Sequence, residues 1–171
     1  MISTMGSHVK RALQFYNDGT VYFAIGKSTQ WNPEDTPIAE DAATQDLLEV
    51  IGFKKVEIKY LVVPDDINGT IVYRSGKWRI ITPATATKAQ QEGARWVYIQ
   101  STLLYDELPL SDYRQIGVYS DVQLVGGVSP SKYALLPSEV SNNGILEAYT
   151  NRAKASRAID QKDAITLILE F

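Results

Sequence analysis

The sequence predicts an α+β fold dominated by β-structure, with antiparallel or mixed sheets, two or three short helices and long loops. Residues 164–171 place Ile165, Leu167, Leu169 and Phe171 on one face at the two-residue period of a strand. Clusters of glycine, proline, asparagine and serine separate other short apolar runs, which is typical of a sheet-rich domain. A strand as apolar as the last one must be buried, either in its own sheet or against a partner.

Composition limits the classes of protein that this chain can represent. A length of 171 residues fits one domain without covalent staples, and the absence of cysteine excludes disulfides and thiolate metal sites. The net charge of −3 argues against non-specific nucleic-acid binding, which requires a basic face. No apolar run is long enough for a transmembrane helix, and we expect no secretory signal and no membrane insertion.

Charge is nevertheless distributed unevenly. Residues 28–53 contain six acidic side chains and no basic one, whereas basic residues gather at 54–59, 74–79 and 152–157. Zones of opposite charge favour contacts between neighbouring copies of a chain, although two solvated faces without a partner would explain them equally well.

The first third of the chain predicts two helices around a strand and a long irregular segment. A helix is expected at residues 8–16 with Ser7 as its cap, and a strand at 20–25. Residues 26–44, which we call the arm, contain Trp31, Pro33 and Pro37 and exceed the usual length of a connection. A second helix is expected at 41–51, because its acidic start suits the helix dipole and Gly52 can end it.

The remaining elements are strands. Residues 54–63 (KKVEIKYLVV) give the clearest strand signal, and a hairpin follows in which Gly76 would supply the positive φ of the turn. The polar residues 83–93 predict a loop or a short helix. Six to eight short strands are expected in all, the others at these positions: 96–105, 115–119, 146–151 and 164–171. The predicted organisation is an N-terminal helix or arm at 1–19 and a single β-rich structural domain at 20–171.

No pattern of residues predicts catalysis, a cofactor or a metal site. Gly26-Lys27-Ser28 resembles the end of a phosphate-binding loop, but the first glycine of that loop is missing. His8 lies near the N-terminus without a paired carboxylate, and Asp65-Asp66 lacks the spacing of a calcium loop, so a turn is expected there. The scattered acids do not form a pair of the kind that glycoside hydrolysis requires.

Several strings along the chain resemble small structural proteins of contractile-tailed bacteriophages, especially baseplate wedge components. The resemblance covers residues 22–171. It rests on YFAIGKSTQW at 22–31 running into NPEDTP at 32–37, on GARWVY at 93–98, and on YRQIGVY, LLPSEV and GILE at 113–119, 135–140 and 144–147.

This resemblance implies a structural role without catalytic residues. Such a subunit would be part of the tail baseplate of the virion, assembled in the host cytoplasm and present in six-fold copies beside other tail proteins. It would join neighbouring subunits and take part in tail assembly and in triggering contraction. Two alternatives stay open: a receptor- or glycan-binding tail-tip module that uses exposed aromatic residues, and a small carboxylate-dependent hydrolase.

The residues expected at interfaces lie in the arm and in the last strand. Trp31 is a candidate anchor on a neighbouring subunit, because buried aromatic side chains are frequent hot spots. The last strand is expected to pair in a sheet that another chain can share. The candidate interface residues are Trp31, Pro33, Pro37, Leu167, Leu169 and Phe171.

Overall fold

The computed structural model describes residues 2–171 and confirms a β-dominated α+β fold, with 40% of the chain in strands and 14% in helices. The helices are α1 (Met5–Asn17), α2 (Ala86–Glu92) and a 3-10 turn (Pro137–Glu139). The strands are β1 (Tyr22–Gly26), β2 (Gly52–Lys55), β3 (Ile58–Pro64), β4 (Ile71–Tyr73), β5 (Gly76–Ile80), β6 (Trp96–Leu103), β7 (Asp112–Ser120), β8 (Gln123–Leu124), β9 (Ala134–Leu135), β10 (Val140–Asn142), β11 (Ile145–Ser156) and β12 (Asp163–Glu170). Twelve strands among the described residues exceed the six to eight predicted, because β8, β9 and β10 are too short to leave a periodic signal and the strand predicted at 54–63 is divided into β2 and β3.

The chain divides into two compact units. The first contains the chain up to Gly19 together with Glu57–Gln100 and Thr166–Phe171, and the second contains Thr20–Val56 and Ser101–Ile165. The predicted division into an N-terminal segment at 1–19 and a single domain at 20–171 stays a prediction.

A five-stranded antiparallel sheet in the order β12-β6-β3-β5-β4 forms the centre of the first unit, with the ends of β6 and β12 continuing into the second. Along β6, buried residues alternate strictly with half-buried ones, as expected of a strand with one covered face. Val97 and Ile99 lie on the covered face and are fully buried. The residues of α1 that point inward, Val9, Ala12 and Phe15, are buried as well. Their burial completes the apolar core of this unit.

Helix α1 begins three residues earlier than predicted. Thr4, not Ser7, is its N-cap: the Thr4 side chain accepts a hydrogen bond from the Ser7 backbone N–H. The error has a local cause, because both residues have the hydroxyl that a cap requires and only the backbone conformation distinguishes them. Residues 83–93, predicted as a loop or a short helix, contain helix α2, with Thr85 as N-cap and Gly93 at a φ of 62° as C-cap.

The hairpin of β4 and β5 is confirmed, but its turn differs from the prediction. Tyr73 pairs with Gly76, and Arg74, not Gly76, adopts the left-handed conformation at a φ of 52°. The turn expected at Asp65 is confirmed too, since its carboxylate accepts the backbone N–H groups of Ile67 and Asn68.

The second unit is built on a five-stranded sheet in the order β11-β7-β1-β2-β9, with a separate β10-β8 pair. Strand β1 lies at the centre and is buried along its whole length. Gly117 of β7 lies close to Leu47: an added Cβ would lie 3.1 Å from both Leu47 methyl carbons, so the leucine side chain would have to shift by a few tenths of an ångström. The core of this unit includes Tyr22, Phe53 and Tyr119.

The single strand predicted for residues 54–63 is wrong. The run divides into β2 and β3, which belong to different sheets, and the backbone leaves one for the other at Val56 and Glu57. The Val56 N–H donates to the Val21 carbonyl, whereas the Glu57 N–H donates to the Gln100 carbonyl. Side-chain alternation continues through the break, so the pattern alone cannot show it.

The helix predicted for residues 41–51 is also wrong, because this segment is irregular. Two of its backbone N–H groups bond to side chains of the sheet: Leu47 N donates to the Tyr119 hydroxyl and Leu48 N to the Gln115 side chain. Glu49 takes a φ of 49°, which a helix does not allow. Burial of Leu47 in the core therefore outweighs the local helix preference.

Candidate assembly surfaces

The arm is attached to the second unit by the side chain of Trp31. Its indole Nε1 donates to the Arg152 carbonyl at 2.9 Å, and Lys27 Nζ lies 5.5 Å from the ring centroid. Only 6% of Trp31 is exposed. Its side chain is thus enclosed by its own chain, so any contact of the arm with a neighbour would use other arm residues.

An ion pair between a buried guanidinium and a half-buried carboxylate holds the same part of the arm. Arg114 of β7 is 1% exposed, and its Nε donates to Glu34 Oε1 at 2.7 Å. Its Nη1 donates to the Ser28 carbonyl at 2.6 Å, while the second oxygen of Glu34 accepts the Trp31 N–H at 3.0 Å. One guanidinium therefore fixes two points of the arm, and the carboxylate that neutralises it also positions Trp31.

The second half of the arm covers the outer edge of β11. Asn151 N donates to Glu40 Oε1 at 2.9 Å, and Asn151 Nδ2 donates to the Ile38 carbonyl at 2.9 Å. The hydrogen bond from the Asn151 backbone lowers the pKa of Glu40. Tyr149 adds a contact farther along, because its hydroxyl accepts the Asp41 N–H at 2.6 Å. These bonds occupy polar groups of an edge strand that would otherwise be open.

Glu49 links the start of the arm to the segment that follows it. Its carboxylate accepts the Thr29 N–H at 2.9 Å, the Thr29 hydroxyl at 2.6 Å and the Ser28 hydroxyl at 2.9 Å, and it lies 3.2 Å from Lys27 Nζ. These donors, chiefly the Thr29 side chain, lower the pKa of Glu49 to about 2. The Gly26-Lys27-Ser28 string therefore serves a carboxylate of its own chain.

Tyr119 anchors the segment after the arm in the core. Its hydroxyl donates to Asp46 Oδ1 and accepts the Leu47 N–H at 2.8 Å. Burial and then the Asp46 carboxylate raise the pKa of Tyr119. Asn143 Nδ2 donates to the other oxygen of Asp46 at 2.8 Å, so a loop after β10 is tied to the same point.

The candidate interface residues differ in how far they are exposed. Pro33 is exposed and Pro37 is half-buried, whereas Trp31 is enclosed. In the last strand Leu169 is buried and Leu167 is half-buried. Phe171 packs its ring 5.0 Å from the ring of Phe15. Whether any of them contacts another subunit stays a prediction.

Other large apolar side chains are more exposed than these candidates, and the sequence analysis missed them. In the first unit Ile67 is 89% exposed and Val72 is 72% exposed, both in or beside the short edge strand β4. Ile38 of the arm is 57% exposed. An apolar residue followed by a turn or a charge is the signal that could have found Ile67 and Val72, but it is common to many surface turns.

The four outer edges of the two five-stranded sheets differ in how they are protected. Strand β4 has three residues and β9 has two, so each offers few backbone groups. The arm blocks the middle of β11. Strand β12 has eight residues, and within residues 2–171 it pairs with β6 on one side only.

Among the described residues, no group of three histidine or acidic side chains is placed to hold a metal ion. None of the described helices has the length and apolar character that crossing a membrane would require.

Comparison with known proteins identifies the family. The family model described as "Baseplate wedge 3 tail fiber network component" matches residues 1–171. The chain is also 39% identical over 165 residues to "Virion protein 3" of Enterococcus phage phiEF24C, an alignment that covers 93% of this chain and 88% of that protein. These findings confirm the resemblance to baseplate wedge proteins and the structural role in a phage tail baseplate. This chain belongs to the family of baseplate wedge 3 tail fiber network components.

Proposed function

We propose that this protein joins neighbouring subunits of the phage baseplate through apolar side chains that its own fold leaves exposed. The observation that supports this most directly is the exposure of Ile67 and Val72 beside β4, although each unit has a well-packed core. Large apolar residues exposed at a sheet edge and in the turn before it favour a protein contact. The proposed work is mechanical, without a catalytic step.

Basic side chains lie beside these apolar residues. Val72 pairs across the hairpin with Lys77, and Arg74 occupies the turn between the two strands. The edge of β4 therefore combines an apolar centre with positive charge, a pattern that favours an acidic and apolar partner surface. Other tail and baseplate proteins are the partners proposed.

The same proposal includes the finer expectations that the resemblance implies. The subunit would be present in six-fold copies, assembled in the host cytoplasm, and would shift its contacts when contraction is triggered. Neither nucleic acid nor membrane would be a partner, in keeping with the net charge of −3.

A substitution at the exposed edge tests this function. Val72→Ser should reduce incorporation of the protein into baseplates that assemble when it is co-expressed with the products of the neighbouring genes. Quantitative mass spectrometry of the purified particles measures the incorporation. Ile159→Ser is the matched control, because Ile159 is equally exposed, at 72%, in a loop of the second unit. Equal incorporation of the Val72→Ser variant and the wild type would contradict the proposed contact.

A further inference from the structure

We propose that the outer edge of β12 accepts an extended strand from a different polypeptide chain of the baseplate. This inference rests on the proposed function and names the way in which one of its partners binds. In strand addition the main chain of the partner supplies hydrogen bonds to the sheet edge, and alternate side chains supply specificity.

Strand β12 is less protected than the other outer edges of the two five-stranded sheets. Natural proteins protect edge strands by making them short, by covering them, or by adding charge or proline. Strands β4 and β9 are short, and β11 is covered by the arm through Trp31 and Glu40. Strand β12 has eight residues and none of these devices between its two ends.

The composition of β12 suits a strand that pairs on both sides. Residues 164–169 (AITLIL) contain no charge and no proline, and they favour β-structure. Ile165 and Leu169 are buried, while Leu167 and Ile168 are only half-buried. Apolar side chains thus occupy both faces of the strand, and a partner strand at its edge would remove more of their surface from water.

The acidic residues at the two ends of β12 indicate that its partner is not a second copy of β12. Two copies of β12 paired antiparallel in full register would place Asp163 of each copy opposite Glu170 of the other, at both ends of the pair. Like charges directly opposite each other destabilise a strand pair. The acidic ends therefore disfavour self-pairing.

The same charges describe the strand that would fit. Glu170 bonds to Arg95 at 2.8 Å, yet its side chain remains 56% exposed and can accept a second cation. The expected partner is an extended segment with apolar residues at alternate positions and a lysine or arginine opposite Glu170.

Site-specific cross-linking tests this assignment, because the chain contains no cysteine and one introduced thiol is unique. Thr166→Cys in β12 would carry a benzophenone label, and Thr87→Cys on the exposed surface of α2 is the matched control. In purified baseplates that contain the labelled protein, irradiation should join β12 to one other polypeptide with a yield at least about tenfold above the control. The cross-linked peptide should show the expected alternation and basic end. A yield equal to the control, or a product with a second copy of this chain, would overturn the inference.

Hydrogen exchange separates this inference from the proposed function. Outward-facing amides of β12 should exchange freely in the isolated protein and become protected by about a hundredfold in the baseplate, while amides of α2 stay unchanged. Normal incorporation without protection of β12 would overturn the strand addition and leave the proposed function standing. Absence of the protein from purified baseplates would overturn both.

Discussion

Trp31 Nε1 and the Arg152 carbonyl, which lie 121 positions apart in the sequence, form a hydrogen bond of 2.9 Å. The bond joins the start of the arm to the long edge strand β11. The arm, which the sequence predicts to contact a neighbouring subunit, is part of the second unit, held by an enclosed indole and by the Arg114–Glu34 pair.

Two substitutions of Trp31 should weaken the attachment of the arm to different degrees. Trp31→Phe keeps most of the apolar surface but leaves the Arg152 carbonyl without its donor, so we expect a loss of about 1 kcal/mol in the free energy of unfolding. Trp31→Ala also removes the packed ring and should cost about 3–5 kcal/mol. Urea unfolding followed by circular dichroism measures both. Equal stability of the alanine variant and the wild type would show that the indole does not hold the arm.

Neutralising Glu34 should destabilise the arm through Arg114. Glu34→Gln removes the negative charge beside a guanidinium that is 1% exposed. It also replaces one carboxylate oxygen with an NH2 group, which cannot accept the Trp31 N–H. We expect a loss of about 2 kcal/mol in unfolding free energy and faster proteolysis within the arm. Asp35→Asn is the control, because it removes an exposed charge at the next position. Similar behaviour of the two variants would argue against the buried pair.

Removing the Tyr119 hydroxyl should loosen the segment after the arm. Tyr119→Phe removes one of the two acceptors of the Leu47 N–H, which also donates to Asp46 Oδ1 at 3.0 Å, and it deprives Asp46 of a donor, so we expect a cost of about 1 kcal/mol. The Leu47 amide should then exchange faster with solvent than in the wild type. Tyr105→Phe, at a residue that is 45% exposed, should change neither quantity.

Glu49 should make stability depend on acid pH. Its pKa is about 2 in the folded protein, below the ordinary value of 4.5, so the carboxylate stabilises the fold fully above about pH 4.5. That contribution is lost as the pH falls from about 4.5 to about 2, because the unfolded chain takes up the proton first. Unfolding curves of the wild type and Glu49→Gln should therefore converge across this interval. A constant difference between them would show that other groups cause the acid sensitivity.

The sequence predicts those elements that local periodicity determines. Strand β12 follows from two-residue alternation, whereas the polar residues that contain α2 were predicted only as a loop or a short helix. The division of residues 54–63 between two sheets could not be predicted, because alternation reports the faces of a strand and not its neighbours. The acidic segment at 41–51 failed as a helix because its amides bond to Tyr119 and Gln115, residues far away in the sequence.

The candidate interface shows the same limit. Trp31 was predicted to anchor the arm on a neighbouring subunit, and the sequence could not show that its own chain encloses the indole. Nothing in the pattern of β7 marks Arg114 as buried, since its carboxylate partner lies 80 positions away. Ile67 and Val72 could not be recognised as exposed until the short edge strand was placed.

A cryo-electron microscopy map of the intact baseplate would test both proposed contacts of this protein at once. We expect density for this protein in contact with other baseplate chains, with the exposed edge beside Val72 covered and a foreign strand paired to β12. The arm should remain on its own second unit in that map. Density in which both edges face solvent, with the protein held only through other surfaces, would show that neither contact joins it to the baseplate.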